Sequence, residues 1–151
     1  MALYYLETSA LVKLYVREPG TERLLHLAQA SPKNRFALLS LSQVELRSAV
    51  RRRERDGDIA PRVAGLVLDR FQQHLEAKFL QQSVTDSVLD SAVELIDRYA
   101  LRAYDAVQIA GYLVLRTTVG KEPLIFVCSD RSLLQAASSE QIPILDPCAP
   151  N

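Results

Sequence analysis

Residues 3–11 read LYYLETSAL. Leu3–Leu6 is a short apolar run carrying Tyr4 and Tyr5, aromatic residues that suit a pleated, partly buried surface. Glu7, Thr8 and Ser9 follow at once, with no Gly or Pro between. Ser and Thr are favoured helix N-caps because their side-chain oxygens accept from amides that the helix leaves unpaired. A carboxylate at the same place gains from the positive end of the helix dipole. The stretch therefore reads as a strand handing directly to a helix, with an acid at the junction.

Outward from this unit the same alternation recurs. Short apolar runs rich in β-formers lie at Phe36–Leu39, Phe79–Val84, Leu124–Cys128 and Ile142–Leu145, with helically spaced segments between them. The spacing predicts helices from Ser9 to Arg17, stopped by Pro19-Gly20, and from Thr21 to Ala30, ending before Ser31-Pro32. Further helices are expected over Gln43–Arg55, Pro61–Ala77, Asp86–Tyr99, Tyr104–Thr118 and Arg131–Ser139. Strands separated by helices imply a parallel sheet with helices on both faces, and continuously apolar strands fit that burial. In such sheets, sites lie beyond the carboxyl ends of the strands, at a switch in strand order.

The 151 residues are expected to form a single domain, 1–151, with 48% apolar residues and 24% charged, a globular balance and not a disordered one. No apolar run approaches the roughly 20 residues of a membrane span, and no signal peptide is read at the N-terminus. Cys128 and Cys148 form no metal motif and read as reduced cysteines of a cytoplasmic protein, Cys128 within a strand. With 18 basic and 18 acidic residues, the chain does not coat nucleic acid by bulk charge. Local recognition stays open: 14 of the 18 basic residues are Arg, whose planar fork suits phosphate. Arg47, Arg51 and Arg52 belong to the run RSAVRRRERDGD and are candidates for an RNA backbone contact, against a solvated helix face balanced by Glu54 and Asp56.

Four acids occupy the same kind of place. Glu7 follows the first strand, Glu45 follows the second in SLSQVELRSAV, Asp130 follows the fourth in FVCSDRSLL, and Asp105 opens a helix in LRAYDAVQIA. Each has a structural alternative. Ser42 to Glu45 fits a capping box, Asp105 suits a first turn, and Ser129 or Asp130 can cap the helix that follows. Together they point further, because carboxylates crowded into one pocket repel unless a cation or proton resolves them. Mg²⁺ and Mn²⁺ take oxygen ligands, and such an ion can activate water and neutralise charge on a phosphate. The pattern points to phosphodiester hydrolysis. Asp86, Asp90 and Asp97 read as residues of one helix's start and exposed face. His26 and His74 stand apart from the acidic motifs, and Tyr4-Tyr5 reads as core.

YYLETSALVKLYVREPG, SLSQVELRSAV, LRAYDAVQIA and FVCSDRSLLQAA resemble, in order, the motifs of PIN-domain ribonucleases, and are particularly similar to VapC-type toxins of toxin–antitoxin pairs. The resemblance implies a three-layer α/β/α fold around a parallel sheet and divalent-metal RNA cleavage with Mg²⁺ or Mn²⁺. It also implies an RNA substrate, a cognate antitoxin that occludes the site, and a homodimer, with no membrane association. It makes Glu7, Glu45, Asp105 and Asp130 the catalytic and metal-binding set, supported by the hydroxyls of Thr8 and Ser9. The family usually has Asp where this chain has Glu7, and the extra methylene moves the carboxylate outward by on the order of 1.5 Å. Two other readings accompany it. One is a catalytically weakened PIN-like module that binds RNA or protein. The other is a Mg²⁺-binding receiver-type domain, which would place two acids after the first strand where this chain offers only Glu7.

Overall fold

A computed structural model describes residues 2–30 and 34–150. Its elements run β1 (Leu3–Leu6), α1 (Thr8–Lys13), α2 (Thr21–Gln29), β2 (Arg35–Leu39), α3 (Ser42–Arg55) and α4 (Pro61–Ala77). They continue with β3 (Phe79–Gln82), α5 (Asp86–Arg98), α6 (Ala103–Thr118), β4 (Leu124–Val127), α7 (Arg131–Ser139) and β5 (Ile144–Leu145). The strands form one parallel sheet in the order β3-β2-β1-β4-β5. The chain adds β2 and β3 on one side of β1, then crosses to the other side for β4 and β5. The switch in strand order therefore lies at β1 and β4, where Tyr5 is in register with Phe126 and Leu6 with Val127.

Alternation along the strands sends side chains to two cores. Leu3 and Tyr5 of β1 pack with Leu39, Phe126 and the inner faces of α5, α6 and α7. Leu6 packs with Leu38, Val127 and α1 to α4 on the opposite face. This is the three-layer α/β/α arrangement expected from the sequence. Each fully buried Leu or Phe contributes about 1.5–3 kcal/mol relative to its exposed state, so both layers hold the sheet edge firmly. The Tyr5 ring stacks near Phe126 and meets Tyr112 edge-on, each at 5.8 Å between centroids. Its hydroxyl donates to the Gln108 carbonyl at 2.8 Å, which satisfies the polar tip of a buried aromatic. Gly111 permits this contact: a Cβ there would lie 2.5 Å from Tyr5 Oη and 2.7 Å from Leu39 Cδ1.

Element ends differ from expectation where side chains intervene. Helix α1 stops at Lys13 instead of Arg17. Glu18 draws the chain back by pairing with Lys13 at 3.0 Å and with Arg53 at 2.6 Å, and Tyr15 turns in against Phe71. Pro143 cannot donate to a ladder, which confines β5 to Ile144–Leu145, although its carbonyl accepts from Phe126. Cys128 falls just beyond β4, buried, with its amide on the Leu145 carbonyl at 3.1 Å. The Ser31-Pro32 stop lies outside the described residues.

Candidate active site

The first acid sits at the switch in strand order. The Glu7 amide donates to the Val127 carbonyl at 3.0 Å, so the junction is tied to β4 as well as β1. Glu7, not Thr8 or Ser9, is the N-cap of α1. Its Oε2 accepts from the Ser9 amide at 2.9 Å and from the Ser9 hydroxyl. The Ser9 oxygen in turn accepts from the Ser129 amide at 3.0 Å, clamping the ends of β1 and β4 together. Glu7 is only 5% exposed. Burial raises its carboxyl above the ordinary range, opposed by the hydrogen bonds of Ser9 and Cys128. The same burial, with the Glu7 charge nearby, pushes the Cys128 thiol far up, so that it is an inert packing group.

Glu45 approaches from the first turn of α3. The expected capping box is not formed, because Leu41 occupies the N-cap position without a side-chain bond. The Glu45 carboxylate turns inward, and its Oε1 accepts from the Thr8 hydroxyl at 3.0 Å and from Gln108 Nε2 at 2.7 Å. Hydrogen bonds to an ionised acceptor are the stronger kind, and these outcompete a return to the helix's own amide. Asp105, in the first turn of α6, receives Arg102 Nε at 3.2 Å on Oδ2. Asp130 caps α7, with Oδ1 accepting from the Ser132 amide at 2.9 Å and the Leu133 amide at 3.2 Å.

All four acids line one cavity of about 580 Å³, together with Thr8, Ser9, Ser48, Arg52, Arg102 and Tyr104. Within it each carboxylate is held by its own donors. Among the described residues no three acidic, His or Cys side chains stand close enough to hold one ion in this arrangement. The donor set is nevertheless all oxygen. In Glu45, Asp105 and Asp130 only one oxygen accepts a hydrogen bond from a described residue. In donor chemistry, though not in spacing, the set suits a hard divalent cation.

Of the arginines singled out in the sequence, Arg52 lines the cavity. Arg51 pairs with Glu54 at 2.8 Å, and Arg47 is exposed outside the lining. His74 meets the Tyr15 hydroxyl at 2.8 Å, away from the acids. Sequence reasoning missed Arg102, Ser42 and above all Gln108, which is 1% exposed. The signal was present in LRAYDAVQIA: an amide three residues after Asp105, between Ala106 and Ile109, both of which prove buried on α6.

The chain can be compared with known proteins on this basis. Residues 4–113 match the family described as the PIN domain. Ribonuclease VapC35 of Mycobacterium tuberculosis is 30% identical over 148 residues, covering 96% of this chain and 97% of its own. VapBC2 from Rickettsia felis bound to a DNA fragment from their promoter aligns with a TM-score of 0.65 at 14% identity, covering 95% of this chain and 98% of the other. DNA-bound VapBC from Salmonella typhimurium gives 0.64 at 18% identity, covering 98% and 100%. At such identities the two structures speak for the fold. The ordered motifs, the β3-β2-β1-β4-β5 sheet and the family match over most of the chain agree, and the chain belongs to the PIN-domain family.

Proposed function

We propose that the protein is a divalent-metal-dependent endoribonuclease of the toxin type, hydrolysing RNA phosphodiester bonds in the cavity of the four acids. The observation that carries this reading is the convergence of Glu7, Glu45, Asp105 and Asp130, from four separate helix starts, on one cavity at the switch in strand order. Its kinship with a curated ribonuclease over nearly the full chain supports the same chemistry.

Glu7, Glu45, Asp105 and Asp130 would hold Mg²⁺ or Mn²⁺. When bound, the ion supplies an activated water and neutralises charge developing on the phosphate. The chain's own residues supply the rest. Thr8 and Gln108 fix Glu45, and Ser9 fixes Glu7 against the end of β4. Arg52 and the 82% exposed Arg102 side chain stand at the cavity and can grip phosphate oxygens of a strand entering it. Tyr104, 64% exposed beside them, offers a face on which a base can stack. Asp105, now paired with Arg102, would serve the ion through its carboxylate, and Arg102 would be available to the substrate.

The partner of this reading is an antitoxin whose segment covers the acidic cavity and places a basic side chain in it. A homodimer is part of the same proposal, supported by the exposed apolar stripe Leu89, Val93 and Ile96 on α5. So are a single domain over 1–151 and a cytoplasmic location. Among the described residues no helix is long and apolar enough to cross a membrane. The test is RNA cleavage by the purified protein with Mg²⁺ or Mn²⁺, compared with Asp105→Asn. That change preserves size and removes charge. It is expected to lose more than the roughly 10–100-fold typical of an outer-shell partner, with melting unchanged. Full cleavage by Asp105→Asn would reduce Asp105 to a first-turn residue, and no cleavage by the unsubstituted protein would favour the weakened binding module.

A further inference from the structure

We infer that Gln108 is a positioning residue for Glu45, aiming one carboxylate oxygen at the cavity by occupying the other. The inference rests on the reading of the four acids as a metal site, and adds to it a residue outside the acidic set. Gln108 Nε2 lies 2.7 Å from Glu45 Oε1, 2.9 Å from Ser42 Oγ and 3.2 Å from Thr8 Oγ1. An amide nitrogen has two protons for these acceptors, and the shortest contact is to the carboxylate, which can only accept when ionised. The Thr8 hydroxyl donates its single proton to the same Oε1 at 3.0 Å, which leaves its lone pairs to Gln108. Two donors thus converge on Oε1. Oε2 receives none from the described residues.

Burial makes this arrangement specific. Gln108 is 1% exposed and Ser42 fully buried, so neither can trade its partner for bulk water. A buried amide without partners is costly, and an apolar residue of similar size would fill the same space on α6 without that demand. The amide is anchored from its own backbone as well, since Tyr5 Oη donates to the Gln108 carbonyl at 2.8 Å. The chain of contacts runs from the β1 core through α6 to Glu45 on α3. It holds an acid from one layer of the fold by a residue from the other.

The test is Mn²⁺ affinity measured by calorimetry on the full chain in a double-substitution cycle. Gln108→Met keeps length and removes both donor protons. It is expected to weaken Mn²⁺ binding by roughly 10–100-fold, as for other residues that orient a ligand. In a Glu45→Gln background the same change is expected to have no further effect, because the group it acts through has lost its charge. A packing role would lower affinity equally in both backgrounds, and that result would overturn the inference, as would undiminished affinity in Gln108→Met alone. Gln108→Asn, which retains an amide but shortens its reach, runs the same cycle if the Met variant does not fold. Failure of the unsubstituted protein to bind Mn²⁺ would overturn the metal-site reading itself, and this inference with it.

Discussion

Glu7 is the one buried acid among the four that line the cavity. Its carboxyl is raised because desolvation outweighs the bonds from Ser9 and Cys128. Between the ordinary carboxylate range and this raised one, the folded state holds a proton that the unfolded state has released. Stability therefore falls as pH rises through that window, and the penalty is complete above it. Glu7→Gln removes the charge and keeps an oxygen for the Ser9 amide. It should raise the melting temperature at neutral pH without metal, by about 2–4 °C per kcal/mol relieved, and flatten the pH dependence. Melts in a chelator at acid and neutral pH check this, and a lower melting temperature at neutral pH would contradict it. Glu7→Asp addresses the departure from the family's usual acid. It should preserve or improve cleavage and narrow any advantage of Mn²⁺ over Mg²⁺, because Mg²⁺ demands nearly ideal geometry. Cleavage rates with each ion decide it, and a large loss would show that the longer arm is required. The placement of the four acids at helix starts was legible in sequence, since each local pattern is plain. The donors that hold Glu45 were not. Gln108 lies 63 positions along the chain from Glu45, and their meeting depends on how the layers of helices pack.

Helix α6 shows what element-scale packing adds to propensity. In isolation Ala is favoured over Gly in a helix by up to about 1 kcal/mol. At Gly111 the new methyl would fall 2.5 Å from Tyr5 Oη and 2.7 Å from Leu39 Cδ1, both fully buried. Gly111→Ala should therefore destabilise by about 1–3 kcal/mol through overpacking and disturb the backbone that carries Gln108. Gly65→Ala on α4 is the control, because no atom beyond its own helical backbone and chain neighbours lies within 4 Å of where its Cβ would be. It should stabilise by about 0.5–1 kcal/mol. Denaturant unfolding of the two variants gives opposite signs if tertiary approach governs the first, and equal signs if propensity governs both. The sequence conveyed the seven helices of the described residues because their apolar spacing and stops are local. It did not convey the early end of α1. That end is set by the pairing of Glu18 with Arg53 of α3, which no local pattern encodes.

At the scale of the molecule, the order β3-β2-β1-β4-β5 concentrates acids from distant segments at one edge of a chain whose formal net charge is zero. The alternation of strands and helices made the parallel sheet legible, while strand order followed from the crossover after β3, which the sequence does not announce. An acidic cavity on a neutral molecule attracts small cations and basic side chains alike, and they compete for the same oxygens. The proposed antitoxin and the divalent ion should accordingly be coupled with opposite effect. Mn²⁺ should weaken binding of the antitoxin, and the antitoxin should weaken Mn²⁺ binding by the same factor, because linkage between two ligands is reciprocal. Raising salt should slow the antitoxin's association and leave its dissociation rate little changed, since charge at the rim acts mainly on encounter. Calorimetric titration in both orders, with the neighbouring gene's product as the antitoxin, measures both factors. Equal factors well above one would place a basic segment in the cavity of Glu7, Glu45, Asp105 and Asp130. Tight binding of the partner with no effect on Mn²⁺ affinity would put it on another face, leaving the acids open in the complex and inhibition to be explained by blocked access for RNA.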